Sequence, residues 1–180
     1  MDLDPRGVAN LILDEADNRG RKITNLALQK ILYFVHGRFL VEEETPLLAG
    51  SFEAWQYGPV SISVYDSFKK FGSSPINSRA TQRDIFTKRE EIAYPSVDDA
   101  IKQKILDHAA PFFNLSPGRL VELSHAKNSP WELITRGPDG GRTFGLRITN
   151  QSIKDNFRHH KVSIENSPRS GEPHEESSPY

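Results

Sequence analysis

Apolar side chains in the first forty residues recur every three or four positions, which is the spacing of amphipathic helices. Asp4 supplies a capping carboxylate and Pro5 suits the first helical position, so a first helix is predicted from there to Gly20. Thr24 predicts the cap of a second helix. Apolar residues cover so much of the circumference of this second helix that we expect it to be central; they are Leu26, Leu28, Ile31, Leu32, Tyr33, Phe34, Val35 and Phe39.

The next hydrophobic pattern alternates, as is typical of a strand. Large apolar residues alternate with smaller or polar ones in residues 52–57, and Gly58-Pro59 predicts a turn that ends this strand. A third helix is predicted over residues 62–71, with Gly72 at its end.

Residues 73–95 show no clear helical or strand period. We therefore expect a long excursion, in which residues 84–87 form at most an edge strand.

Patterns typical of helices occur again after residue 95. Apolar residues at positions 101, 105 and 109 predict a helix that Pro111 ends or kinks. Residues 137–141 predict a turn, and residues 143–148 a short strand before the last helix. Four helix starts are predicted from capping residues, at Ser96–Asp99, Ser116-Pro117, Ser129-Pro130 with Glu132, and Thr149.

The final twenty residues differ in composition from the rest. Residues 161–180 hold five serines, three prolines and four glutamates with few large apolar side chains, so burial cannot offset the entropy of ordering them. The predicted fold is therefore α+β and mainly α-helical. It has six to seven helices and a small antiparallel sheet in an ordered domain over residues 1–160, followed by a disordered acidic tail over residues 161–180.

Composition and charge exclude several classes of function. The 180 residues carry 23 Lys and Arg against 24 Asp and Glu, so the net charge is −1 and lacks the basic excess of a nucleic-acid binder. There is no cysteine, which excludes disulfides, thiol nucleophiles and cysteine zinc sites. No apolar run approaches the roughly 20 residues of a membrane span. We expect a cytoplasmic protein with no membrane partner.

The search for catalytic chemistry singles out one histidine. No phosphate-binding glycine loop, dinucleotide motif, serine-nucleophile motif or zinc-binding histidine pair occurs. His125 could act in general acid–base chemistry or contact a partner, but the sequence favours a helix C-cap that donates to a carbonyl and packs on Trp131, because no nucleophile is paired with it in sequence. His36 and His108 are expected to be hydrogen-bonded histidines of the core or its boundary. His159-His160 is expected to be a basic, solvated helix end.

Acidic and aromatic clusters have structural explanations. Residues 42–44 and Asp98-Asp99 are expected at solvent-facing helix ends rather than at a metal. Trp55 and Tyr57 would either fill the core of a small sheet or anchor a partner, and their spacing favours the core.

Four separated motifs resemble one known family. They are ITNLALQKILYF at residues 23–34, FEAWQYGPV at 52–60, VYDSFKKFG at 64–72, and Leu123-Ser124-His125 followed by Pro130-Trp131. In this order they are similar to the SocA-like antitoxins, or Panacea domain, formerly known as phage-associated proteins. Phe71 stands where that family commonly has tyrosine. The residues that carry the resemblance are Thr24, Asn25, Leu28, Gln29, Lys30, Tyr33, Trp55, Tyr57, Gly58, Pro59, Val60, Tyr65, His125, Pro130 and Trp131.

The resemblance implies an antitoxin that neutralises a co-encoded toxin by direct binding, and one member resembles an adaptor that presents its toxin to a cytoplasmic protease. It implies no enzymatic activity, cofactor or metal. The motif residues would build the core or touch the partner, and partner choice would come from the excursion over residues 73–95. Two alternatives stay open at this point: a hydrolase or transferase that uses His125, and a prophage regulatory protein.

Overall fold

The computed structural model describes residues 1–84, 87–137 and 141–160. In these ranges the chain forms seven α-helices and five short strands, which confirms the predicted α+β, mainly helical fold class. The predicted disordered tail lies outside the described residues. The helices are α1 (Pro5–Asn18), α2 (Asn25–Glu42), α3 (Ile62–Phe68), α4 (Asp99–Ala109), α5 (Pro117–Ser124), α6 (Pro130–Thr135) and α7 (Asn150–Asn156). The strands are β1 (Phe52–Trp55), β2 (Gly58–Val60), β3 (Thr81–Arg83), β4 (Glu90–Ile92) and β5 (Leu146–Ile148).

Side-chain caps begin most helices where the sequence predicts them. Asp4 accepts a hydrogen bond from the Arg6 amide at 2.9 Å, and Thr24 accepts one from the Ala27 amide at 3.3 Å. Ser116, Ser129 and Thr149 cap α5, α6 and α7 in the same way. These bonds satisfy amides that have no partner within the helix.

The start of α4 corrects one prediction. Asp98, rather than Ser96, is the cap, and its side chain accepts from the Ile101 amide at 2.8 Å. Asp98 lies nearer than Ser96 to the free amides of the first turn, so its carboxylate caps the helix. The predicted end near Pro111 is confirmed, because α4 stops at Ala109 and a 3-10 turn over Ala110–Phe112 follows.

Helix α2 is central, as its apolar circumference predicts. It packs against α1, α3, α4, α5 and α7, and it also contacts β2. Most of its side chains are buried, and Phe34 stacks on Phe112 with ring centroids 4.9 Å apart. The other elements therefore assemble around α2.

A three-stranded antiparallel sheet covers one side of α2, in the order β2-β1-β5. The prediction that Gly58-Pro59 forms the turn after β1 is wrong. Both residues belong to β2, Trp55 pairs with Gly58, and the turn lies at Gln56-Tyr57. Pro59 is tolerated because β2 is an edge strand.

The excursion over residues 73–95 contains a two-stranded antiparallel hairpin of β3 and β4. The prediction of an edge strand at residues 84–87 is wrong, because Asp84 and Thr87 lie in the turn between these strands and residues 85–86 lie outside the described residues. Asn10 of α1 holds the base of the hairpin. Its side chain donates to the Ala80 and Ala93 carbonyls at 2.9 and 2.7 Å and accepts from the Ala80 amide at 2.9 Å.

In the part of the chain that the structure describes, no helix combines the length and the apolar character needed to cross a membrane.

Candidate functional site

Most of the motif residues meet where α2, β1, β2, α5 and α6 come together. We call this region the motif junction and define it by Lys30, Trp55, Gly58, Ser124 and Trp131. Of the fifteen motif residues, Thr24, Tyr57, Tyr65 and His125 are partly buried, and the other eleven are buried. Those eleven are Asn25, Leu28, Gln29, Lys30, Tyr33, Trp55, Gly58, Pro59, Val60, Pro130 and Trp131.

Lys30 is the unusual residue of the junction, because its side chain is fully buried. Its Nζ donates to the Pro59 carbonyl at 3.0 Å. An ammonium group can be removed from water only where acceptors replace the lost solvent. Lys30 therefore ties α2 to the edge strand β2.

Gln29 makes a second link between α2 and the end of β2. Its Oε1 accepts from the Ser61 amide at 2.8 Å, and its Nε2 donates to Asn25 Oδ1 at 3.2 Å. Both ends of the buried amide are thus paired, as buried polar groups must be. The pair fixes the chain at the step from β2 to α3.

Two tryptophans connect the sheet to α6. Trp131 Nε1 donates to the Trp55 carbonyl at 2.8 Å, and Trp55 Nε1 donates to Glu53 Oε2 at 3.0 Å. Tyr65 of α3 packs edge-on against Trp55 with centroids 4.7 Å apart. The aromatic side chains fill the core of the junction, and their polar atoms hold its backbone in place.

Close backbone packing completes the junction at Gly58. A Cβ at this position would lie within 3.0 Å of Lys30 Cε and even closer to Ser124 Oγ. The backbone φ of +106° is also one that glycine adopts readily and other residues avoid. Only glycine lets β2 approach both α2 and α5.

His125 is the C-cap of α5, and its ring stacks on Trp131 with centroids 3.6 Å apart and planes 8° apart. The predicted cap and packing are confirmed, with the backbone N–H donating to the Val121 carbonyl at 3.0 Å. Burial, with the nearby cations Lys30 and Arg142, lowers the pKa of His125 to about 3. Its Nε2 is buried without a hydrogen-bond partner among the described residues. The ring is therefore a neutral imidazole that is poorly suited to take up a proton near pH 7.

A cleft of about 570 Å³ opens beside His125. It is lined by side chains and backbone of α5, the turn after it, and the end of the body, namely Arg119, Glu122, Leu123, His125, Ala126, Lys127, Asn128 and His159. Charges of both signs lie on its walls, and Arg119 pairs with Glu122 at 2.7 Å. Among the described residues that line the cleft there is no serine, threonine or tyrosine hydroxyl.

The other buried histidines are structural. His36 accepts from the Leu48 amide through Nδ1 at 3.2 Å and pairs with Asn150 Oδ1 through Nε2 at 3.0 Å, so the predicted hydrogen-bonded core histidine is confirmed. Burial lowers its pKa to about 4. His108 of α4 lies 3.1 Å from Glu42 Oε2, and burial lowers its pKa.

The prediction of a solvated pair at His159-His160 is wrong for His160. This residue is buried, with Nε2 3.0 Å from the Tyr33 hydroxyl and Nδ1 2.9 Å from the Leu123 carbonyl. Burial lowers its pKa to about 4 and raises the pKa of Tyr33. His160 thus links the last described residues of the chain to α2 and α5.

The acidic clusters hold no visible metal site. Glu42 and Glu43 form ion pairs with Lys104, and Glu44 pairs with Lys154 at 3.2 Å, all near the surface. Across the described ranges, no three His, Asp or Glu side chains are grouped so that they could bind an ion.

Sequence reasoning missed the role of Asn10, and it placed Ser124 in a motif without predicting its contact. Asn10 is a polar residue on the apolar face of α1. A buried polar side chain needs hydrogen-bond partners, so its position could have indicated a tertiary contact. Ser124 is fully buried and faces Gly58, and no local pattern marks that contact.

Comparison with known proteins identifies relatives over most of the chain. A family model described as "Antitoxin SocA-like, Panacea domain" matches residues 28–132, which include all five residues that define the motif junction. The chain is also 44% identical over 177 residues to the protein named Antitoxin SocA of Caulobacter vibrioides (strain NA1000 / CB15N). That alignment covers 98% of this chain and 94% of the relative. No solved structure matches the chain significantly.

Proposed function

Because the chain belongs to the SocA-like antitoxin, Panacea domain family, we propose that it neutralises a co-encoded toxin by binding the toxin directly. The observation that carries this proposal is the identity of 44% to Antitoxin SocA along almost the whole of both chains. A match of that extent includes the surface as well as the core.

The test is neutralisation of a neighbouring gene product. The open reading frame that adjoins the gene is expressed from an inducible promoter, with and without this chain, and growth is followed. We expect growth arrest without the chain and rescue with it, and the two purified proteins should form a complex. The proposal would be contradicted if this chain does not reduce the toxicity of the adjoining gene product, or if the two purified proteins form no complex.

We propose further that neutralisation needs no catalysis by this chain. His125 has a pKa of about 3 and stacks on Trp131, and its Nε2 has no hydrogen-bond partner within the described ranges. A His125→Phe variant keeps a flat ring against Trp131 but cannot exchange a proton. We expect this variant to neutralise the toxin as the unchanged chain does, provided that its melting temperature shows a folded protein. Loss of neutralisation in a folded variant would favour the enzymatic alternative.

Blocking the toxin and delivering it to a protease are two routes to neutralisation, and toxin lifetime separates them. Cells that make both proteins are treated with a translation inhibitor, and the toxin is followed by immunoblot. Rapid loss of toxin that depends on this chain indicates delivery to a cytoplasmic protease. A stable toxin in growing cells indicates blocking. Repeating the measurement with a chain truncated before Lys161 tests whether the acidic tail takes part.

The motif residues leave little surface for choosing a partner, because eleven of the fifteen are buried. We therefore propose that partner choice lies in residues 73–95, which carry the hairpin of β3 and β4 on the outside of α1. Exchanging this segment with that of another family member should exchange the toxin that is neutralised. Unchanged partner choice in a folded chimera would contradict this proposal.

A further inference from the structure

The last residues that the structure describes lie against the wall of the cleft beside His125. His159 lines this cleft, and Nδ1 of His160 lies 2.9 Å from the carbonyl oxygen of Leu123, another residue of the lining. Consecutive Cα atoms are about 3.8 Å apart, so Lys161 begins within about 8 Å of His159. The residues that follow His160 therefore start at the cleft.

Packing on α2 fixes the position of these last described residues. A Cβ at Gly37 would overlap the ring of Phe157, so glycine at this position lets the ring lie against the helix backbone. The rings of Tyr33 and Phe34 pack edge-on against His160, with centroids 5.5 and 5.3 Å away. The point from which the chain continues is thus held in place beside the cleft.

His125 has an unmet hydrogen-bonding requirement at the cleft. Its ring lines the cleft, and its Nε2 is buried without a hydrogen-bond partner among the described residues. Buried polar atoms in folded proteins nearly always have a partner. An extended segment that enters the cleft can supply one, because each of its residues other than proline carries a backbone N–H group.

The sequence after His160 combines apolar and charged side chains in an alternating pattern. Residues 161–165 are Lys-Val-Ser-Ile-Glu. In an extended segment Val162 and Ile164 lie on one face, and Lys161 and Glu165 lie on the other. The segment therefore has one aliphatic face and one face with a charge of each sign.

The lining of the cleft offers matching groups. Leu123 and Ala126 contribute apolar surface, and Arg119 and Glu122 pair with each other at 2.7 Å. Lys127 forms no ion pair within the described ranges. Because Arg119 and Glu122 largely balance each other, Lys127 is the cation of the lining to which a carboxylate is attracted.

Covalent attachment makes a weak contact sufficient for docking. A short segment joined to the wall of its own site is present there at an effective concentration in the millimolar range. Only five residues are ordered, so the entropy cost is far below that of ordering all of residues 161–180. Chain connectivity thus identifies the occupant of the cleft, and charge adds selectivity.

We propose that residues 161–165 occupy the cleft of their own chain. The aliphatic side chains of this segment pack on the apolar lining, and Glu165 pairs with Lys127. The segment shields the stacked rings of His125 and Trp131 from solvent, and a toxin that uses this cleft has to displace it. The proposal does not depend on the antitoxin function, because the segment and the site belong to the same chain.

Hydrogen exchange of the full chain, followed residue by residue by NMR, tests the docking. The reference is a synthetic peptide of residues 161–180, whose rates are those of an undocked segment. We expect the amides of residues 162–165 to exchange about tenfold or more slowly in the full chain than in the peptide. Equal rates in the chain and the peptide would overturn the proposal.

Charge reversal locates the contact. Lys127→Glu should raise exchange at residues 162–165 towards the rates of the peptide, and adding Glu165→Lys should restore the slow exchange because the two charges are then interchanged. The matched control is Lys70→Glu, since Lys70 is an exposed lysine on the 3-10 turn after α3 and outside the cleft. This control should leave the exchange rates unchanged. Circular dichroism melting verifies that each variant is folded.

A second substitution and the toxin separate the remaining outcomes. Ile164→Ser removes aliphatic surface from the segment and should also speed its exchange. Slow exchange that persists in folded Lys127→Glu and Ile164→Ser chains would place the segment elsewhere and contradict the proposal. Rates equal to those of the peptide in the free chain, with slowing at Ala126 and Lys127 only after the product of the adjoining reading frame is added, would assign the cleft to the toxin instead.

Discussion

Gly58 shows how one residue can set the geometry of the motif junction. Its φ of +106° and its contacts with Lys30 and Ser124 leave no room for a side chain. We expect Gly58→Ala to destabilise the protein by about 2 to 5 kcal/mol, since it adds backbone strain to overpacking. Chemical denaturation measured by far-UV circular dichroism gives this value.

Gly50 provides the control for the strain alone. Its φ of +81° is similarly restrictive, but a Cβ there would meet open space. Gly50→Ala should therefore cost only about 1 to 2 kcal/mol. Equal losses at the two positions would show that the close approach to Lys30 and Ser124 contributes nothing.

At the scale of elements, the attachment of the β3–β4 hairpin to α1 depends on Asn10. Asn10→Leu keeps a similar volume but leaves the Ala80 amide and the Ala93 carbonyl buried without their present partner. We expect a loss of about 2 to 4 kcal/mol and faster hydrogen exchange at the Ala93 amide, because unpaired buried groups are costly. Chemical denaturation measures the loss of stability, and hydrogen–deuterium exchange with mass spectrometry measures the exchange at Ala93.

Asn18→Leu, at the exposed end of the same helix, should leave stability and exchange nearly unchanged. Exchange that rises uniformly over the whole chain in Asn10→Leu would contradict a local role for Asn10.

The elements that the sequence predicts correctly are those whose cause is local. Thr24 and Ser129 each accept a hydrogen bond from the amide three residues further on, so the local sequence contains the whole interaction. Strand β2 was misassigned because Gly58-Pro59 is also a common turn signal, and pairing with β1 decides between the two. The hairpin was missed because Asn10, seventy residues before Ala80, closes its base. The motif junction was only partly predictable for the same reason: its residues were identified, but their pairing depends on tertiary contacts.

His160 illustrates the same limit at a single position. Its neighbours Arg158 and His159 indicate a solvated basic end, and only the packing of the last described turn against Tyr33 and Leu123 buries it.

At the scale of the whole molecule, two buried histidines and the partly buried His125 make stability depend on pH. Their pKa values are about 4 for His36 and His160 and about 3 for His125, against an ordinary value of 6.5, and burial is the largest cause in each. Above about pH 6.5 all three are neutral in both the folded and the unfolded chain, so their contribution is complete. Below that pH the unfolded chain binds protons that the folded chain excludes, and stability falls as the pH drops from about 6.5 towards 4.

The size of this effect follows from the shifts. Each histidine whose pKa is lowered to about 4 should cost about 2 kcal/mol between pH 7 and pH 5, so the three together should cost about 6 kcal/mol, which is a large part of the roughly 5–15 kcal/mol of a typical domain. Urea midpoints at pH 7, 6 and 5 measure the slope. A His160→Phe variant should lose stability at pH 7, because the Tyr33 hydroxyl loses its partner, yet its stability should fall less between pH 7 and pH 5. His159→Phe, on the partly exposed neighbour, should keep the slope of the unchanged chain. Identical slopes in all three proteins would mean that His160 is not held neutral by its burial.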